Sequence, residues 1–315
     1  MFPKISSKAF LSPMARVTDP AFRSLCKKFG AGLTVTELIN ADGLLQNPSQ
    51  LKSLVLRADN EDSFAVQLFG SDPSSLAKAS VMVEPFADFI DLNLGCPAHK
   101  VCRLGAGSEL LKYPSKVGDI VSAMVGAVDL PVTVKTRLGI DSSSINVLDI
   151  LRVVENSGAS LLTIHGRTRN QAYAGEADWD WIKKVKEESS IPIVGNGDVS
   201  SPEIFRDRLL SSGVDYIAVG RAAIGNPFLF RQINDFLSDG SYKQFSLLDR
   251  LKVFNDYMFL SQEFKTKLLL QKLQAQHFIK GLKGASQIRE KISLAKSSED
   301  IISVVESFIE RGFSE

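Results

Sequence analysis

The sequence is poor in the residues that cross-link a chain or hold a metal: three cysteines and three histidines among 315 residues. Three thiols, Cys26, Cys96 and Cys102, cannot all pair within one chain, and the N-terminus "MFPKISSKAFLSPM" has no long apolar segment suited to export. That pattern predicts a cytoplasmic protein with reduced thiols. Long hydrophobic runs are missing as well. Asp, Gly or Pro interrupts the apolar stretches within about six residues, against the roughly 20 needed to span a bilayer, so no membrane segment is expected. Neither sign of charge dominates: 37 Lys+Arg against 36 Asp+Glu give a formal charge of +1. A polyanionic partner would therefore have to be met by a local patch. A dinucleotide fingerprint is lacking too, since neither "GAGSEL" nor "GLKGAS" follows a strand with the required glycine spacing.

What is present is a rhythm. With 44% hydrophobic residues the chain can bury a large core, and eight short β-rich runs recur: "AFLSPMA", "LTVTELI", "FAVQLF", "DFIDLNLG", "PVTVKTR", "SLLTIHG", "IPIVGNG" and "DYIAVGR". They begin near residues 9, 33, 64, 88, 131, 160, 191 and 215, leaving room for one helix in each interval. Patterns such as "PAFRSLCKKFG" and "NVLDILRVVENSG" supply those helices, each stopped by Gly. Near-continuous apolar strands are buried on both faces and pair in parallel. The fold class is therefore α/β, and eight units over residues 1–240 fit a closed (β/α)8 TIM barrel better than an open doubly wound sheet. After about residue 240 the rhythm stops. Residues 241–315 show only helical spacing and predict a small bundle of three or four helices, the last opened by Ser-x-x-Asp capping chemistry. Within it, residues 264–296 hold eight Lys+Arg against a single acid, Glu290.

The C-terminal strand ends of such barrels form the active face. Those ends carry Met14, Gln67, Asn93 with Cys96, Lys135 with Arg137, His165 with Arg167, Asn196 with Asp198, and Gly220 with Arg221. Cys96 reads three ways. It is a small packed residue, a thiol serving as nucleophile or proton donor, or a metal ligand with His99 and Cys102. Zinc normally takes four ligands and no second Cys/His cluster exists, so no metal is expected. Pro97, Gly105 and Gly107 around the thiol suggest a mobile loop. Lys135 and Arg137, two apart on a strand, share a side, as partners in an internal salt bridge or as contacts to an anion or an electron-rich flavin ring. His165 alone is equivocal. "GNGDVSSPEIF" and "VGRAAIGNPFLF" follow the last two strands, where glycines and helix N-termini bind phosphate. The net +7 over residues 264–296 is either a solvated face or a phosphate-backbone surface.

With these residues in place the chain resembles the flavin-dependent tRNA-dihydrouridine synthases. The similarity runs through "SPMARVTDPAFR", "VQLFGSDP", "IDLNLGCPAHKVCRLGAGSELL", "VTVKTRLG", "TIHGRTRNQAYAGEADW", "NGDVSSPE", "VGRAAIGNPFLF" and "HFIKGLKGA". That family usually has Gly after "PMA", where this chain has Arg16. The resemblance implies FMN held by Pro13, Met14, Ala15, Gln67, Lys135, His165, Asn196, Gly197, Asp198, Gly220 and Arg221. It implies Cys96 as proton donor to a uracil held by Asn93, Arg137 and Arg167. It also implies tRNA as the partner and NADPH or NADH as reductant. Lys265, Lys267 and Lys272 of the basic segment are expected to meet the RNA, and a monomer is expected. The nearest alternative is another FMN barrel acting on a free pyrimidine, like the dihydroorotate dehydrogenases, in which the cysteine works as a base.

Overall fold

In the computed structural model, which describes residues 3–312, nine parallel strand segments build one sheet. They are β1 (Ala9–Leu11), β2 (Thr34–Val35), β3 (Ile39–Asn40), β4 (Phe64–Phe69), β5 (Phe89–Asn93), β6 (Val132–Arg137), β7 (Leu161–His165), β8 (Ile193–Asn196) and β9 (Tyr216–Val219). The order β1-β9-β8-β7-β6-β5-β4-β2 curls round until Leu11 N donates to Leu33 O (2.9 Å) and Gly32 N to Ala9 O (2.8 Å), so the first and second staves meet. The run expected as one second strand is two pieces, both paired with β4. Between them the Thr36 hydroxyl takes the Gln67 amide N–H (3.0 Å), and Glu37 turns to accept from Arg16 N (2.6 Å).

Alternation along the strands sorts the side chains. Outward positions such as Leu68, Leu92, Val134 and Ile164 pack against the surrounding helices, while Phe10, Ala65, Phe89, Leu161, Val194 and Tyr216 form a separate apolar layer inside the ring. Further along the barrel the inward positions turn polar, two residues on at Gln67, Asp91 and Thr163, and at Thr133 on β6. The next layer is Asn93, Lys135, His165 and Asn196, set side by side by the registers Asn93↔Lys135 and His165↔Asn196. The barrel is thus sealed at its N-terminal end and lined with hydrogen-bonding groups at its C-terminal end.

Helix Phe228–Asp239 ends at Gly240, whose φ of 72° suits glycine. Four helices follow: Leu247–Glu263, Leu268–Phe278, Ala285–Leu294 and Ser298–Gly312. The last begins with the expected reciprocal bonds, Asp300 N to Ser297 Oγ (3.1 Å) and Ser297 N to Asp300 Oδ2 (3.1 Å). The bundle is welded to the barrel, because Phe254, Tyr257 and Phe278 belong to the same buried cluster as the barrel helices. Tyr257 Oη reaches Asp19 Oδ2 (3.3 Å), Gln274 Nε2 donates to Val17 O (3.1 Å), and Lys28 pairs with Asp256 (2.7 Å). No helix among the described residues is long and apolar enough to cross a membrane.

Candidate active site

A cleft of about 550 Å³ opens at the C-terminal strand ends, a size in the ordinary range of about 300–1,000 Å³ for cofactor sites. Pro13, Met14, Ala15, Gln67, Asn93, Cys96, Lys135, Arg137, His165, Asn196, Gly197, Asp198, Gly220 and Arg221 all line it. Of the barrel residues singled out from sequence, Arg167 lies elsewhere. It is buried behind the wall, giving Nη1 and Nη2 to Asp198 (2.9 and 2.6 Å) and further bonds to the carbonyls of Ala174 and Gly175.

The floor is a chain of hydrogen bonds that ends on the cysteine loop. Asp91 accepts from Gln67 Nε2 and from the Thr133 hydroxyl, both at 2.6 Å. That fixes the Gln67 amide the other way round, so Gln67 Oε1 takes Asn93 Nδ2 (2.8 Å). Asn93 Oδ1 then accepts from Gly95 N (3.1 Å) and Cys96 N (2.9 Å). Burial pushes the Asp91 carboxyl above its ordinary pKa, while the Gln67 and Thr133 bonds and the nearby Lys135 pull it back. Sequence reading passed over Asp91 and Thr133. Their signal was the strand period, since each sits two residues before a rim residue and faces inward.

The cysteine loop is packed around its second glycine. Cys96 O receives Ser108 N (3.1 Å) and Ser108 Oγ (2.9 Å), and Ala106, Ser108, Leu110 and Leu111 are fully buried. Gly107 has φ 60°, and a Cβ on it would lie 2.8 Å from Val101 Cγ1 and 2.9 Å from Cys96 O. The glycine expected to loosen the loop is there for close approach. Half-buried Cys96 has its thiol pKa raised by burial, against lowering by the Ala98 N–H, with lesser effects from Cys102, which raises it, and Arg137, which lowers it. The resting group is therefore a neutral thiol, suited to giving a proton. His99 is exposed, and among the described residues no group of three or more His, Cys, Asp or Glu side chains could hold a metal ion.

The cationic side belongs to Lys135, Arg137 and their neighbours. Lys135 Nζ touches Asn196 Oδ1 (3.2 Å), and Asn196 Nδ2 is tied to Ala218 O (2.7 Å). Burial, then Arg137, brings its ammonium down to about 8, with Asp91 opposing. Among the described residues Arg137 makes no salt bridge: Nε holds Gly95 O (2.8 Å) and Nη1 holds Thr168 O and Ala172 O (3.0 Å each), stapling the cysteine loop to the loop after β7. His165 is brought down to about 2 by burial, with Lys135, Arg137, Arg167 and Arg221 adding to the effect, so its ring is neutral. Its Nε2 faces Arg167 Nη1 at 3.5 Å, and arginine can only donate, which leaves the proton on Nδ1. Asp198, at φ 52°, binds Arg167, Arg221 Nη2 (3.1 Å) and Ala177 N (2.7 Å), holding Gly197 and Gly220 to one rim. Two of the cleft residues that sequence reading did not single out carry polar groups that matter here. Tyr173 has its ring 4.6 Å from the Arg221 guanidinium, and Lys280 comes from the helical bundle.

Lys265, Lys267 and Lys272 do not line the cleft. Lys265 has φ 52° in the turn after helix Leu247–Glu263, Lys267 caps the next helix, and Lys272 Nζ donates to Ser293 O (2.8 Å). Arg16, in the place where the resembled family has Gly, has φ 63°. That backbone favours glycine, which accounts for the family's preference.

Comparison with known proteins agrees with this geometry. A family model described as "Dihydrouridine synthase (Dus)" matches residues 10–311. The tRNA-dihydrouridine synthase B of Pseudomonas syringae pv. tomato is 44% identical over 231 residues, covering 73% of this chain and 68% of that one. A probable tRNA-dihydrouridine synthase of Rickettsia conorii is 42% identical over 257 residues, 81% of this chain and 78% of that one. Among solved structures, histamine dehydrogenase from Rhizobium sp. 4-9 (TM-score 0.56, 14% identity, 81% of this chain) and a 2-naphthoyl-CoA reductase (TM-score 0.58, 10% identity, 73% of this chain) share the fold. The chain spans about half the length of each, 49% and 50%. A match over residues 10–311, joined by relatives above 40% identity, makes this chain a member of the dihydrouridine synthase family.

Proposed function

We propose that this protein is an FMN-dependent tRNA-dihydrouridine synthase that reduces the C5–C6 double bond of uridines in tRNA at the expense of NADPH or NADH. It would work as a cytoplasmic monomer, with residues 1–240 carrying the chemistry and 241–315 the RNA contacts. The cleft fits FMN. It offers the buried ammonium of Lys135 for an electron-rich ring, and the glycine-bearing turns at Asn196 to Asp198 and Gly220 to Arg221 for a phosphate. Pro13, Met14, Ala15, Gln67 and His165 complete the wall. FMN, when bound and reduced, supplies the hydride that uridine C6 takes up.

The residues of this chain do the rest. Addition at C6 leaves enolate-like charge at C5 and O4, and the thiol of Cys96 gives its proton to C5. Asn93 fixes the backbone of that thiol, and the remaining N–H of its amide is available to the uracil edge. Arg137 keeps the cysteine loop against the cleft and lends positive charge beside it. In this reading Arg167 acts through Asp198 and not on the uracil directly; it is 2% exposed, with bonds to Asp198 and to the carbonyls of Ala174 and Gly175. The uridine leaves its stack to reach this depth, so separate backbone contacts are needed to retain the RNA. The basic segment 264–296, with Lys265, Lys267 and Lys272, supplies them.

The observation that carries this reading is the chain Thr133, Asp91, Gln67 and Asn93, which ends on the Cys96 N–H and seats its thiol in a cationic, glycine-lined cleft. A dihydroorotate-oxidising barrel would run the same cysteine in the other direction, as a base that takes a proton from its substrate. The test is a purified yellow enzyme bleached with NADPH. Reoxidation on addition of tRNA, with dihydrouridine in the product, is the expected result; reoxidation by orotate but not by tRNA would overturn the reading.

A further inference from the structure

Most cations of the cleft are already committed. Arg137 serves three carbonyls, Arg221 binds Asp198, which Arg167 also holds from behind the wall, and Lys135 holds Asn196. Lys280 differs. Among the described residues lining the cleft it alone comes from the helical bundle, and no carboxylate among them pairs with it.

Its position is fixed from below although its ammonium is exposed. Phe278 and Ile279 are buried at 2% and 1%, and Lys280 N donates to His277 O (3.0 Å). The loop after β9, which carries Gly220 and Arg221, abuts this turn so closely that a Cβ on Gly225 would lie 2.4 Å from the His277 carbonyl carbon. Gly225 has φ 67°, so glycine is required twice over. Contact between barrel and bundle therefore delivers one free ammonium to the cleft rim. Its surroundings stay positive: His277 sits beside Lys280 and Arg289, whose charges add to burial in lowering its pKa.

We propose that Lys280 binds an RNA backbone phosphate next to the flipped nucleotide, and so couples the helical bundle to the barrel mouth. The proposal rests on the reading of the protein as a tRNA enzyme. A cofactor phosphate is the other source of the same chemistry. The amides of the two glycine-bearing turns already serve that one, whereas an exposed, unpaired lysine on the outer rim suits a polyanion arriving from solvent.

The test uses FMN-loaded wild type, Lys280→Met and Lys280→Arg. We expect Lys280→Met to raise the tRNA Kd and KM about five- to tenfold at moderate salt. The slope of log K against log[salt] should fall in magnitude by about 0.7–0.9, the value of one phosphate contact. Flavin content should be unchanged, and Lys280→Arg should restore the slope. A Lys280→Met slope equal to wild type overturns the proposal. So does weakened FMN binding with an unaltered tRNA slope, which assigns the lysine to the cofactor. If wild type neither binds tRNA nor is reoxidised by it, the functional reading fails together with this proposal; wild-type turnover with an unchanged slope sinks the proposal alone.

Discussion

Replacing Gly107 by Ala tests how the reactive thiol is held. Residue 107 has φ 60°, where a side chain costs about 1–2 kcal/mol. The added methyl would meet Val101 Cγ1 at 2.8 Å, Cys96 O at 2.9 Å and Cys96 Cβ at 3.4 Å. Two of those three atoms belong to Cys96, and the backbone oxygen cannot swing away because Ser108 N and Oγ hold it. Overpacking a rigid site adds about 1–3 kcal/mol, so the total is about 2–5 kcal/mol. That corresponds to a fall of about 3–8 °C in Tm for a chain of this size. A shift of Cys96 by several tenths of an ångström would also slow proton delivery, and we expect kcat to drop about 10- to 100-fold with flavin retained. Gly105→Ala is the control. It shares the left-handed backbone, φ 67°, but its methyl would come no nearer than 3.6 Å to Ser71 Cβ, so it should lose about 1 kcal/mol and keep its turnover. Equal turnover in the two variants, measured by dihydrouridine formed per flavin, would refute the claim that Gly107 seats the thiol.

Further outcomes follow from strain and charge. Arg16→Gly should stabilise the protein by about 0.5–1 kcal/mol, because relief of φ 63° outweighs the extra freedom of the unfolded glycine; a calorimetric Tm that falls would contradict this. Lys135→Gln should weaken FMN binding at least tenfold while stabilising the cofactor-free protein, since a buried ammonium is removed; weaker folding would be the contrary result. Lys135 also gives a pH signature. Its folded pKa, about 8, lies below its ordinary value of 10.5, so in that window the unfolded chain holds more protons, and cofactor-free stability should rise from pH 8 to 10.5 in wild type more than in Lys135→Gln. Asp19 has the opposite sign. Burial raises its carboxyl to about 6, so its contribution is present below about 3.8 and lost as pH rises through 6, a loss that Asp19→Asn should abolish in denaturation curves.

Much of the architecture was legible because it follows from two periods. The apolar runs mark the strands, and the polar residue at each run's end marks the cleft. Every barrel residue picked out on that logic lines the cleft except Arg167, which shares the inward register of its strand end but turns behind the wall to Asp198. The second strand misled because a bend at Thr36 and Glu37 is made by side-chain bonds to distant partners, Gln67 and Arg16. Gly107 misled for a different reason: glycine marks both looseness and close approach, and only the neighbours decide which. Asp91 and Thr133 were readable in principle from the two-residue period that found Asn93 and Lys135. Lys280 stood in the basic segment undistinguished from seven other cations until the Gly225 contact brought it to the cleft.

The central claim is that Cys96 gives its proton to uridine C5, and single-turnover reoxidation of the NADPH-reduced enzyme by tRNA tests it most directly. Cys96→Ala should keep its flavin, be bleached at the wild-type rate and bind tRNA with the wild-type Kd. Its reoxidation by tRNA should slow at least 100-fold, a loss in keeping with the roughly 10²–10⁴-fold contribution of a positioned acid. Reoxidation at the wild-type rate, with dihydrouridine formed, would take the proton away from Cys96 and contradict the account.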